Sequence, residues 1–239
     1  ALGQIAQTRN KPEEALEWYQ SVPMGERFMD AQLQAARLIA RQQGIDAARG
    51  YLHELPLREP SQQIQRYLAE GELLSSEERY EEAMELYDEA LVLFIDNTQL
   101  LYARALTAEK IDRLDILEQD LKRILQKDPD DTQALNALGY TLTDRTDRHQ
   151  EALGYIKRAH EQEPDDPAIL DSMGWVLYHL GRLDEAHQYL ERAASMVEDG
   201  EIAAHLGVVL WAKGQKEEAK RIWNEALKVA PNHKILQQT

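Results

Sequence analysis

No cysteine occurs among the 239 residues of this chain, which excludes disulfides and thiolate chemistry but fixes no compartment. Phenylalanine appears twice and proline eight times. Against them stand many Ala, Leu, Glu and Gln, a balance that favours helix over sheet. Positive charge is scarce: 27 Lys and Arg face 43 Asp and Glu, a formal net charge of −16. Such a field repels phosphate backbones, so nucleic acid and anionic membrane are poor partners. Long apolar runs are missing as well. The longest fully apolar stretch, ALVLFI at 90–95, is far too short to span a bilayer, and no signal peptide is visible. The chain opens on Ala1 in mid-motif. It reads as a fragment, with any targeting signal expected upstream.

What is present is a period. Gly3, Gly71 and Gly139 are spaced by 68 residues, twice 34, and Gly174 and Gly207 follow at 35 and 33. Arg37 and Ala105 fill the skipped units of this small-residue register. A second register, twelve or thirteen residues later, runs Ala15, Ala48, Ala83, Leu117, Ala152, Ala186 and Ala219. A third holds Pro60, Pro129, Pro164 and Pro231 as helix stops, with Arg27, Ile95 and Glu198 in the weaker units. Gly on one helix and Ala on the next suit the point where two backbones cross, because a larger side chain would force them apart. The acids of PDDP at 164–167 suit capping of the following helix better than a calcium site, whose loop spacing is absent.

Three registers in one frame resemble the tetratricopeptide repeat. Leu170, Met173, Gly174, Leu177, Ala186, Leu190 and Ala193 fill its pattern in order, and so do Leu135, Leu138, Gly139, Leu142, Ala152, Ile156, Ala159 and Pro164. Gly207, Leu210, Ala219, Trp223, Ala226 and Pro231 repeat it once more. The resemblance implies an all-α fold, a right-handed α-solenoid of tandem helix–turn–helix units in a single array. The units expected are a truncated 1–29, then 30–63, 64–97, 98–131, 132–166, 167–199 and 200–233, with a tail at 234–239. Unit 98–131 departs from the pattern, with Leu117 and Ile124 in place of Ala and with Ala108 in a larger slot. Two readings stay open: a volume-conserving swap, or a local change of curvature that divides the array into two arms.

No catalytic motif appears: there is no nucleophile elbow, phosphate-binding glycine loop or H-E-x-x-H. His149, His160 and His187 are scattered without ligand spacing, so no enzyme, metal or cofactor is expected. At 100° per residue, Asp171, Trp175, Tyr178 and His179 gather on the first-helix face that lines the concave groove in this family. The same offsets give Asn136, Tyr140, Thr143 and Asp144 one unit earlier, Val208 and Trp211 one unit later, and Tyr102, Glu109 and Lys110 in unit 98–131. This aromatic, mildly acidic face is expected to bind a protein segment, since Trp and Tyr dominate hot spots. Packing of the same rings against an adjoining helix is the rival reading. Trp223 occupies a regular core slot. The positions that hold terminal carboxylates in chaperone-tail clamps carry no lysine here, so a ligand with apolar and basic residues fits best.

The C-terminal repeats, about 130–233, are similar to those of proteobacterial outer-membrane tetratricopeptide lipoproteins, among them the adaptors of carboxyl-terminal processing proteases. That resemblance implies a periplasmic, lipid-anchored scaffold that binds such a protease and presents substrates such as cell-wall hydrolases. A self-assembling structural module and a cytoplasmic regulatory module are the alternatives.

Overall fold

The computed structural model describes residues 2–229, and among these it contains fourteen α-helices and no strand. The chain divides into two compact units, Ala1–Arg123 and Ile124–Thr239, with the division inside the second helix of the degenerate repeat. Unit one holds α1 (Leu2–Thr8), α2 (Pro12–Gln20), α3 (Phe28–Gln43), α4 (Ile45–His53), α5 (Pro60–Ser76), α6 (Tyr80–Leu93) and α7 (Thr98–Lys110). Helix α8 (Leu114–Lys127) crosses the division. Unit two continues with α9 (Thr132–Arg145), α10 (His149–Gln162), α11 (Pro167–His179), α12 (Leu183–Met196), α13 (Gly200–Ala212) and α14 (Lys216–Val229).

Four first helices start where the sequence supplies an acceptor for their free N–H groups. Asn97 caps α7, Asp131 caps α9, Asp166 caps α11 through Ala168 and Ile169, and Asp199 caps α13 through Glu201 and Ile202. Pro164 lies just past the end of α10, as a stop should, but Pro60 does not act as one. It is the first residue of α5, where a missing N–H costs nothing. Pro231 lies outside the described residues.

The turns inside the pairs carry the period in the backbone itself. Asn10, Gly44, Glu78 and Asp112, each 34 residues after the last, have φ between 55° and 93°. Gly181 and Gly214 do the same in unit two, with φ of 76° and 83°. The longer turn after α9 dispenses with this residue, since Thr146 there is extended.

Helix crossings account for the small-residue register. A Cβ placed on Gly174 would stand 2.4 Å from Leu190 Cγ and 3.1 Å from the Ala186 carbonyl oxygen. At Gly139 it would meet Ile156 at 2.4 Å and the Ala152 carbonyl at 3.1 Å. Trp223 closes over Gly207 and is buried, its indole N–H donating to the Ala204 carbonyl at 3.2 Å. In the degenerate repeat Ala108, Leu117 and Ile124 are all buried. Arg37 breaks the register. It lies at the surface paired with Glu72 at 3.0 Å, while Ala31, Ala35 and Ala36 are the buried small residues of α3. A guanidinium cannot occupy a backbone crossing, so α3 presents neighbouring alanines there instead.

Candidate functional site

In unit two, first helices pack in succession: α9 against α11, and α11 against α13. Their buried stripe is Leu135, Leu138 and Leu142 on α9, Leu170, Met173 and Leu177 on α11, and Leu206 and Leu210 on α13. Beside that stripe lies a second layer of rings and polar groups. Trp175 stands nearly parallel to the His205 imidazole, with centroids 4.0 Å apart and planes at 14°. It is also stacked with Tyr178 at 5.1 Å and 12°. His179 meets Trp175 edge-on at 4.6 Å, and His149 packs on His179 at 4.8 Å. The Tyr140 ring approaches His205 at 6.4 Å, and its hydroxyl donates to the carboxylate of Glu201.

Asp171 is 5% exposed and His205 1%. The carboxylate oxygens sit 2.9 and 3.0 Å from His205 Nδ1, so with Asp171 ionised the Nδ1–H donates between them. Burial pushes the Asp171 carboxyl above its ordinary value; the His205 contact opposes the rise, and the charges of Glu201 and Asp199 add to it. Burial also raises Tyr140 far above the usual phenol range, helped by its bond to Glu201 and by the charges of Glu201, Asp144 and Asp171. His179 is lowered, first by burial and then by His149, against the pull of Asp144. Trp175 Nε1, His205 Nε2 and Asn136 Oδ1 are buried without a hydrogen-bond partner.

The expected groove residues therefore fall into three sets. Tyr140, Asp171, Trp175, Tyr178 and His179 meet in one network, with Asp144 exposed near it and Asn136 partly buried on α9. Trp211, 41% exposed, packs elsewhere, 5.8 Å from Trp223 and with the Lys216 ammonium 5.0 Å from its ring. Tyr102 is partly buried on α7 in unit one. Asp171 is no free surface acid, because the network holds it inside. Sequence reasoning overlooked His205 and Glu201. A signal for the first existed, since Asp171 and His205 are 34 residues apart, one repeat length.

Among the described residues, no three acidic or histidine side chains converge as metal ligands, and no helix is long and apolar enough to cross a membrane. Helix pairs with glycine and alanine at their crossings, and first helices stacked in succession inside unit two, define the class: an all-α solenoid of tandem helix–turn–helix repeats. Sequence profiles of the tetratricopeptide repeat match residues 64–93, 102–167, 145–204 and 201–233, and the chain belongs to that family.

A TPR repeat-containing protein of Pseudomonas aeruginosa is 41% identical over 206 residues, covering 86% of this chain. The chain spans only 35% of that relative's length. Among solved structures, a tetratricopeptide repeat protein from Parabacteroides merdae aligns over 99% of this chain and 93% of its own, with TM-score 0.73 at 15% identity. A thermophilic TPR protein of Thermus thermophilus aligns over 72% of this chain and 94% of its own, with TM-score 0.64 and 25% identity. YrrB, described as a TPR protein with an unusual peptide-binding site, aligns over 76% and 97%, with TM-score 0.53 and 21% identity. These likenesses speak for the fold.

Proposed function

We propose that this chain is a non-catalytic protein-binding adaptor and that the α9–α11–α13 face of unit two receives its partner. The observation that carries the reading is the ring layer itself. The core stripe is complete without Trp175, Tyr178 and Tyr140, yet these rings are set beside it, part-exposed, in a rim of acidic groups. Rigid aromatics in that setting supply contact area at little entropic cost. The repeat family is one of protein-binding scaffolds, and the structural neighbour YrrB has a peptide-binding site of its own. Acidic surroundings favour a partner segment with basic and apolar residues.

The finer reading rests on resemblance to outer-membrane tetratricopeptide lipoproteins such as the adaptor LbcA. In it the full-length protein is periplasmic and lipid-anchored, holds a carboxyl-terminal processing protease and brings it substrates such as cell-wall hydrolases. Calorimetric titration of the chain with a purified processing protease is the test. Binding in the micromolar range or tighter is expected, with a loss of roughly thirtyfold for Tyr178→Ala. No binding would remove the protease from the reading. Binding indifferent to Tyr178→Ala, Trp175→Ala and Trp211→Ala would move the interface off this face.

A further inference from the structure

Glu201 opens α13, partly exposed, and its carboxylate is met by the Tyr140 hydroxyl rather than by a lysine or arginine. The two residues stand 61 positions apart, on α9 and α13, so their bond crosses the line of α11 between them. Around it the charges of Asp144 and Asp171 act on Tyr140, and that of Asp199 acts in the same sense on Asp171. The field is negative, and a phenol brings the carboxylate one bond but neither the positive charge nor the second donor of a guanidinium.

The same ring layer holds two buried polar atoms with nothing to meet, Trp175 Nε1 and His205 Nε2. His205 is almost wholly buried, and its Nδ1 is committed to Asp171. With the proton on Nδ1, Nε2 is an acceptor, whereas the indole Nε1–H is a donor. A peptide group offers one partner of each kind. Leaving such atoms unmet is unfavourable, and the penalty disappears when a ligand supplies both bonds.

We propose that Tyr140 is a removable latch on Glu201, and that an arginine of an extended partner segment displaces it. The guanidinium pairs with the carboxylate, and the main chain of the segment reaches the Trp175–His205 stack as the phenol withdraws. Arginine suits the place better than lysine because its planar fork bonds a carboxylate in two places and stacks on a tyrosyl ring. This deepens the adaptor reading and rests on it.

The test is calorimetric titration of the whole chain with four blocked nine-residue peptides, alike except for arginine, lysine, citrulline or glutamate at the centre. Citrulline keeps the shape of arginine without its charge. The arginine peptide is expected to bind at least tenfold more tightly than the citrulline peptide. Glu201→Gln should erase that ratio, and Tyr140→Phe should tighten the arginine peptide about fivefold by removing the competing hydroxyl. Both changes keep side-chain shape, and an unchanged helical circular dichroism spectrum checks that both variants fold. Equal binding of the arginine and citrulline peptides, weaker binding in Tyr140→Phe, or no peptide binding at all overturns the latch. The protease titration above reports separately on the adaptor reading, because it does not depend on the central residue of any peptide.

Discussion

The indole of Trp175 and the imidazole of His205 lie face to face, 4.0 Å between centroids, and tie α11 to α13 beside the main apolar stripe. The imidazole is fixed in turn by Asp171 on α11. Trp175 therefore contributes to the stacking of neighbouring repeats, and the partner contact proposed for it would be a second use of the same ring. Of the two alternatives read from the sequence, the packing ring is present here, and the anchor is the role proposed for it.

That packing separates two tryptophans that share an expected face. Trp211→Ala should lower the melting temperature less than Trp175→Ala does, because Trp211 is 41% exposed. Trp175→Ala should cost about 2–3 kcal/mol of stability, somewhat below the range for a fully buried Trp. Thermal denaturation of the two variants side by side checks this. Equal melting temperatures would deny Trp175 its packing role.

Gly174→Leu should cost on the order of 1–3 kcal/mol through overpacking. The added Cβ would stand 3.1 Å from a backbone carbonyl, which cannot swing aside as the Leu190 side chain can. Urea denaturation gives the difference directly. A parental midpoint would mean that α11 and α12 cross elsewhere.

Glu78→Gly should stabilise the chain by roughly 0.5–1 kcal/mol. Glu78 has φ of 57° at the turn where three of the corresponding positions, Gly44, Gly181 and Gly214, already hold glycine. Glycine adopts this backbone without the clash of a Cβ. A lower melting temperature for the variant would contradict the account.

Asp171→Asn tests the buried carboxyl through pH. The folded chain holds the Asp171 proton more tightly than the unfolded chain, whose ordinary value is 3.8. Its contribution to stability is therefore full below that value and declines as pH rises from 3.8 through the raised folded value. The stability of the parent minus that of Asp171→Asn should fall across this window and level off above it. Chemical denaturation at half-unit steps of pH reads the difference, and a difference that grew with pH would have the sign wrong.

Much of the fold was legible because close contact leaves few choices. Where two helix backbones meet, only Gly or Ala fits, so Gly139, Gly174, Gly207 and their alanine partners print the period into the sequence. The cap at Asp166 was legible for a similar reason, since a short acidic side chain before a helix has one common use. Arg37 and Pro60 misled at the scale of a few residues. A fixed frame cannot register that α3 turns neighbouring alanines inward, or that a proline opens the following helix rather than closing the preceding one.

The sequence by itself determined the class of the chain, its period, its helix crossings and the acidic, ring-bearing character of its first helices. Each of these follows from residue size or charge within one or two turns of helix. Only the tertiary structure decided that Asp171 is buried against His205, that Trp175 lies on that imidazole, and that Tyr140 reaches Glu201 while Trp211 turns to Trp223. Those pairings join residues on different helices, up to 61 positions apart. They depend on the rotation of one helix against the next, which the whole packed layer sets and no local pattern encodes.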